Sequence, residues 1–394
     1  MARKGATIVL YGERGVGKSS IAKIVAQFAS GEPYYYSASA QDTFETICSA
    51  VLQFYDVGWT PDTRDMQSSR GRQGTLQLGY LHAEVSATES SGQRDAQLQR
   101  SQLTAQQFAS RLPERASLIV IDEFERLPNR RDRAAFADLV KKLSDNESPA
   151  TLMLVGIADN IDDLLVAHES AQRSIVEIKV ERLSDASIRE IVDTGMEALG
   201  LEIEQVAADQ VVAYSARFPY YAHLLGEGAV HALLSRCQAD TVLPLRVGTA
   251  DLAASIGYAI RNAQRSIIRA YEDAIRSIQG SPRFKYCLYA IASWPEEPVA
   301  YGDICRWVGK LQHAPGGQVN VSHQMRRLEA IGVIRRMASG YYAFQNPMLK
   351  AYVILKSRAD TPDVELQAID AQLDEVRKRL EGVRERMGSK RPET

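Results

Sequence analysis

Apolar residues first cluster in a short unbroken run, Ala6–Tyr11, which ends in glycine and predicts a buried strand. The next segment, Ser19–Ser30, has helical spacing, with Ile21, Ile24, Val25 and Phe28 on one face. Pro33–Ala38 predicts a second strand, and Asp42–Tyr55 a helix capped by Asp42 with Glu45 three residues on. The pattern then lapses. Residues 56–102 are polar and rich in Ser, Gln, Arg and Gly, and only Thr75–Ser86 alternates enough to suggest a small hairpin. This insert reads either as a solvated loop or as a partner-binding element. Periodicity returns with a helix over Thr104–Leu112, a strand over Ser117–Ile121, a helix over Arg131–Ser144, and strands over Thr151–Gly156 and Ile175–Val180. Strands alternating with helices predict a parallel sheet covered on both faces.

From Ser184, which predicts a helix cap, to about Gly280 the pattern is helical throughout, with one long helix over Asp251–Ile278. It changes again at 281–358. Helices are expected over Phe284–Ser293, Tyr301–Leu311 and Val321–Ile331, the last stopped by Gly332. A hairpin follows, Val333–Met337 with Tyr341–Phe344, turning at Ser339-Gly340. In the tail, Leu366, Ile369, Leu373, Val376, Leu380, Val383 and Met387 recur at alternating steps of three and four, a heptad stripe. Its flanks carry Asp370, Gln372, Arg377, Arg379, Arg384 and Arg386, so self-pairing would set like charges together. The stripe is expected on an acidic-flanked partner helix or on the protein's own body. These shifts divide the 394 residues into 1–182, 183–280, 281–358 and 359–394, and no repeat of 20–50 residues is present.

Composition narrows the class. At 45% hydrophobic and 24% charged the chain is neither a disordered tail nor a collagen-like or disulfide-dense scaffold. No stretch nears 18 apolar residues, which excludes a transmembrane helix, and the opening MARKGATIVLYGERG is too short in apolar residues for a signal peptide. The four cysteines form no CxxC pair, so reduced packing residues in a cytoplasmic protein are expected, without zinc. The net charge of −2 conceals an asymmetry: Arg283–Ser357 holds ten Lys/Arg against four Asp/Glu. A basic module on an acidic body is a candidate nucleic-acid footprint.

The chemistry is concentrated early. Gly12–Ser19 reads GERGVGKS, which matches GxxxxGK[ST], the P-loop, between an expected strand and an expected helix. The residues Gly12, Glu13, Arg14, Gly15, Val16, Gly17, Lys18, Ser19 and Ser20 are the candidate nucleotide site. Glycines let the backbone curl so that N–H groups face phosphates, and the helix N-terminus adds partial positive charge. Lys18 is expected to reach the β and γ phosphates of ATP and Ser19 to ligate Mg²⁺. Ser117–Glu123, SLIVIDE, is an apolar strand ending in two acids about a hundred residues later. Asp122 is the second candidate Mg²⁺ residue, and Glu123 the candidate general base for an attacking water. The pair predicts an ATPase and not a mere binder.

GERGVGKSS, IDEFERL, LVGIADN, HESAQRSIVEI and YYAFQNPMLKAY together resemble an AAA+ ATPase over about residues 5–357. Within that superfamily the pattern is similar to the branch of origin-recognition initiators, STAND ATPases and prokaryotic ORC/Cdc-like ATPases. The resemblance implies an α/β P-loop core, a helical lid and a C-terminal winged helix. It implies that Asp159, or else Asn160, is a sensor of the γ-phosphate, and that Arg173 is an arginine finger serving a neighbouring subunit in a homo-oligomer. The lid position normally held by a second-sensor arginine falls near Tyr220, with Arg217 and His223 as the nearest candidates, and Phe218-Pro219 resembles the GxP element of STAND lids. On a winged helix, Arg326 and Arg327 of the third helix and Arg335 and Arg336 of the wing are the candidate contacts to double-stranded DNA. Two functions follow: a DNA-associated AAA+ switch or loader, or a STAND-like signalling ATPase, possible in phage defence, whose winged helix and tail bind protein.

Overall fold

In the computed structural model, the structure describes residues 5–58, 73–78, 81–86, 103–158, 161–165, 173–237, 245–276, 282–295, 297–312, 317–338 and 340–360. The predicted tail stripe lies outside them. The chain forms two compact units, one of residues 1–13 and 17–181, the other of 182–394 with Arg14–Val16.

The first unit is built on five parallel strands: β1 (Thr7–Gly12), β2 (Glu32–Ser37), β5 (Ala116–Asp122), β6 (Thr151–Ile157) and β7 (Ile175–Val180), in spatial order β2-β5-β6-β1-β7. β3 (Gln73–Leu78) and β4 (Leu81–Ser86) pair separately as an antiparallel hairpin within the polar insert. The helices are α1 (Lys18–Phe28), α2 (Phe44–Phe54), α3 (Ala105–Ala109) and α4 (Arg130–Asp145).

Alternation along each strand sends residues to opposite faces. Val9, Ile119, Ile121, Leu152 and Leu154 join Ile47, Val51, Phe108, Phe136 and Val140 of the helices in the main core. Phe136 is its hub, meeting Phe44 and Phe124 edge-on with ring centroids 4.9 and 5.2 Å apart. The opposite face is thinner. There Leu10, Leu118, Val120, Met153 and Val155 pack with Ala22 of α1. The predicted apolar face of α1 is real as a pattern but uncovered: Ile21, Ile24, Val25 and Phe28 are all exposed, Phe28 to 85%. Among the described residues the sheet's own central positions are buried on both faces, and the edge strand β7 leaves Val176 and Ile178 exposed. Cap chemistry also differs from expectation at α2. Thr43, not Asp42, is the cap, exchanging hydrogen bonds with Thr46. Asp42 instead accepts from the Ser39 N–H at 2.7 Å and the Tyr36 hydroxyl at 3.0 Å.

The second unit begins with α5 (Asp185–Ala198), capped as expected by Ser184, whose hydroxyl accepts from the Ser187 N–H at 3.0 Å. It continues through α6 (Gln205–Tyr214) and α7 (Pro219–Arg236), with the short strands β8 (Glu202–Ile203) and β9 (Arg246–Val247) paired in parallel. The expected single long helix is two: α8 (Thr249–Asn262) and α9 (Arg265–Arg276). Ala263 breaks it, at φ −60° and ψ 157°, an extended backbone in which no helix continues. Ala263 is itself buried.

After α10 (Pro282–Ser293) come β10 (Val299–Ala300), α11 (Tyr301–Leu311), α12 (Ser322–Ala330), β11 (Ile334–Ala338), β12 (Tyr341–Phe344) and α13 (Leu349–Asp360). β12 lies between β10 and β11, so the expected hairpin gains a third strand. A buried ionic triad ties this module to the start of the unit. Glu297 pairs with Arg182 at 2.9 Å and Lys350 at 3.4 Å, and the Lys350 ammonium donates to the Trp294 carbonyl at 2.8 Å. Arg182 stacks over the Phe218 ring, 4.8 Å from its centroid.

Candidate functional site

A parallel sheet collects the loops that follow its strands at one edge, and the candidate residues meet there. β6 separates β1 from β5, so the chain leaving Gly12 faces the acids that end β5 across the end of one strand. Three loop glycines have positive φ: Gly12 at 149°, Gly15 at 85° and Gly17 at 98°. At Gly12 the requirement is also steric, since a Cβ there would stand 2.2 Å from the Val180 carbonyl oxygen of neighbouring β7. Gly17 is the N-cap of α1, and no side chain caps that helix or places an acid in its first turn. Its leading N–H groups are therefore open to an anion.

Lys18 is buried, and its ammonium donates to the carbonyls of Gly12 at 3.0 Å and Glu13 at 2.6 Å. The positive charge is thus held inside the curl of the loop. Asp122 is buried at the end of β5. One of its carboxylate oxygens accepts the Glu123 N–H at 2.8 Å and the other accepts the Tyr35 hydroxyl. Ser19 interacts with that same phenol.

Glu123 sits at φ 55° and ψ 36°, a left-handed conformation that costs a non-glycine residue energy. Its carboxylate pairs with Arg126 at 3.1 Å and accepts from Ser37 at 3.3 Å. Next to it, Glu125 accepts the N–H of Ile157 at 3.0 Å and so fixes the end of β6. Its own carbonyl takes a hydrogen bond from Arg133 at 2.9 Å. Tyr35, Ser37, Arg126 and Glu125 escaped the reading of the sequence. Tyr35 and Ser37 come from β2, and only the sheet order puts β2 beside β5.

Asp159 and Asn160, two and three positions after the strand end that Glu125 holds, lie outside the described residues. Arg173 is exposed in the turn that leads into β7. That turn is beside the start of β1, where the Thr7 N–H donates to the Ser174 carbonyl at 3.2 Å. Six residues of strand at about 3.3 Å each separate it from the loop edge, about 20 Å. Arg173 is therefore at the opposite edge of the sheet from this chain's own P-loop.

Arg217 pairs with Asp185 at 2.8 Å, and Ala216 and Arg217 both have positive φ, 49° and 67°, just before α7. Among the basic candidates of the second unit, Arg326, Arg327 and Arg336 are exposed and Arg335 is half-buried. Arg326 and Arg327 share α12, while Arg335 and Arg336 alternate on β11.

A β1 strand, glycine loop and uncapped helix facing an acid-tipped strand across an intervening strand define a P-loop nucleotide-binding α/β domain. Residues 2–165 match the family model described as AAA domain. Among solved structures the chain is similar to the RuvB Holliday junction branch migration motor of Thermotoga maritima, at 15% identity over 89% of this chain and 87% of that one, TM-score 0.44. It is similar also to the Orc1 protein of Aeropyrum pernix, solved in complex with DNA, at 17% identity over 89% and 86%, TM-score 0.40. Cdc6p of Pyrobaculum aerophilum matches at 14% identity over 89% and 88%, TM-score 0.41. No match to a curated protein was found. No described helix is long and apolar enough to cross a membrane.

Proposed function

We propose that the chain is an AAA+ ATPase that binds ATP with Mg²⁺, hydrolyses it, and acts as a switch or loader within a homo-oligomer associated with double-stranded DNA. The observation that carries the nucleotide part is the convergence of four groups at one sheet edge: the uncapped N-terminus of α1, the buried Lys18 ammonium, Ser19 and Asp122. In this reading the N–H groups of Gly12–Ser20 and Lys18 hold the phosphates. Ser19 and Asp122 hold Mg²⁺, which when bound neutralises phosphate charge. Glu123 orients and deprotonates the attacking water, and its contacts to Arg126 and Ser37 set where the carboxylate stands before it does so. Asp159 and Arg173 are the further proposed catalytic groups, Arg173 toward the site of a neighbouring copy.

The DNA part rests on the second unit. Its last module, four helices (α10–α13) and a three-stranded sheet, is read as a winged helix with α13 appended. Exposed Arg326 and Arg327 on α12 and exposed Arg336 on β11 supply phosphate contacts, with Arg335 the fourth candidate.

Two substitutions test the nucleotide roles. Lys18→Ala removes the charge inside the loop and is expected to abolish most ATP binding. Glu123→Gln keeps shape and hydrogen-bonding capacity and is expected to bind ATP normally while turnover falls at least about 100-fold, the scale of a lost general base. Equal loss of binding in both variants, read by fluorescent-nucleotide titration, would contradict the roles assigned.

A further inference from the structure

β2 carries three successive tyrosines, Tyr34, Tyr35 and Tyr36. Alternation sends Tyr34 and Tyr36 to the main core and Tyr35 to the α1 face. The outer two have evident structural roles: Tyr34 packs on Phe54 with centroids 4.8 Å apart, and Tyr36 donates to Asp42. Tyr35 is different. Its hydroxyl donates to Asp122, and the Lys23 ammonium lies 5.7 Å from its ring centroid. The phenol oxygen therefore stands on a carboxylate oxygen of Asp122, one of the two side chains to which a Mg²⁺ ion is assigned above. When bound, Mg²⁺ would draw on carboxylate lone pairs of Asp122. An O–H aimed at the same carboxylate oxygen uses one of them.

We propose that Tyr35 gates the cation site: its hydroxyl occupies an acceptor position on Asp122, and a divalent ion that takes that position displaces the hydrogen bond. This rests on the assignment of Ser19 and Asp122 as the cation residues. Tyr35 is thus a positioning residue, whose removal strengthens cation binding where the loss of a ligand would weaken it.

The test uses Mn²⁺ as the probe, with free ion counted by electron paramagnetic resonance in the presence of ADP and the full chain. Tyr35→Phe is expected to tighten Mn²⁺ binding about 10-fold, the lower end of a hydrogen bond to a charged acceptor. ADP affinity without divalent ion should stay unchanged. Asp122→Asn should weaken Mn²⁺ binding in the same assay. In the wild type, Mg²⁺ added to the ADP complex should give a tyrosine ultraviolet difference spectrum, which holds even if Tyr35→Phe folds poorly. Unchanged or weaker Mn²⁺ binding by a folded Tyr35→Phe, or no difference spectrum, overturns the gate while leaving the nucleotide site intact. Failure of Asp122→Asn to alter Mn²⁺ binding overturns the cation assignment and the gate with it.

Discussion

Replacing Glu297 by glutamine keeps the shape of a buried side chain and deletes the one negative charge of the Arg182–Glu297–Lys350 triad. The Glu297 side chain is 13% exposed and that of Lys350 7%, so water cannot substitute for the lost partner. Burial alone would push the Glu297 carboxyl up; Lys350 and Arg182 outweigh it and hold the carboxyl below its ordinary 4.5. Burial draws the Lys350 ammonium below 10.5, against the pull of Glu297. Removing one member of a buried pair leaves an uncompensated charge and costs about 3–5 kcal/mol. The compensating change is Lys350→Met, which removes the stranded cation. Arg182 remains, over Phe218 and more exposed than Lys350. The double variant should return to within about 2 kcal/mol of the wild type. Urea unfolding followed by tryptophan fluorescence suits the measurement, because Trp294 and Trp307, two of the three tryptophans, lie in this module. The depressed carboxyl contributes stability that is present above about pH 4.5 and is lost as the pH falls through its folded value, so the gap between wild type and Glu297→Gln should close in acid. A loss below about 1 kcal/mol at neutral pH, or a double variant no better than the single, would refute the argument.

Two further outcomes separate the proposed roles. Arg173→Ala should bind ATP normally and hydrolyse it poorly, and mixing it with Lys18→Ala should restore part of the turnover at mixed interfaces; no complementation at any ratio would remove the trans role. Alanine at both Arg326 and Arg327 should weaken duplex binding about 10-fold or more at 50–100 mM salt and reduce the salt slope by one to two units, without altering DNA-free ATPase rate. Unchanged duplex affinity would instead favour a winged helix that docks protein.

β1, β5 and β6 were readable because each is a short, mainly apolar run bounded by polar residues or glycine, and β7 and α11 match the expected limits at both ends. The P-loop was readable because its glycines are demanded by backbone angle, which a sequence records directly. Contacts across long separations were not. Tyr35 looked like any strand tyrosine, and its partner Asp122 is 87 residues away. Amphipathic spacing identified the apolar face of α1 but carries no information on whether anything covers it. The break at Ala263 has neither glycine nor proline to announce it, since alanine is the best of helix formers; a buried backbone kink overrode the propensity. Asp42 and Thr43 are both good caps, and only the geometry of Ser39 and Tyr36 shows why the acid is engaged elsewhere.

The parallel sheet has a direction, and the separation of Arg173 from its own P-loop along that direction has a consequence for how copies meet. If Arg173 serves a neighbouring copy as proposed, and the donating and receiving edges do not share one face, the contact would be head-to-tail and not a self-matching two-fold patch. Such a contact would pass from copy to copy in one sense, and would end only by closing into a ring or continue as a filament. In dilute solution most sites would lack their donor. Turnover per chain would then climb with protein concentration, and a filament would leave one incomplete site at its end whatever its length.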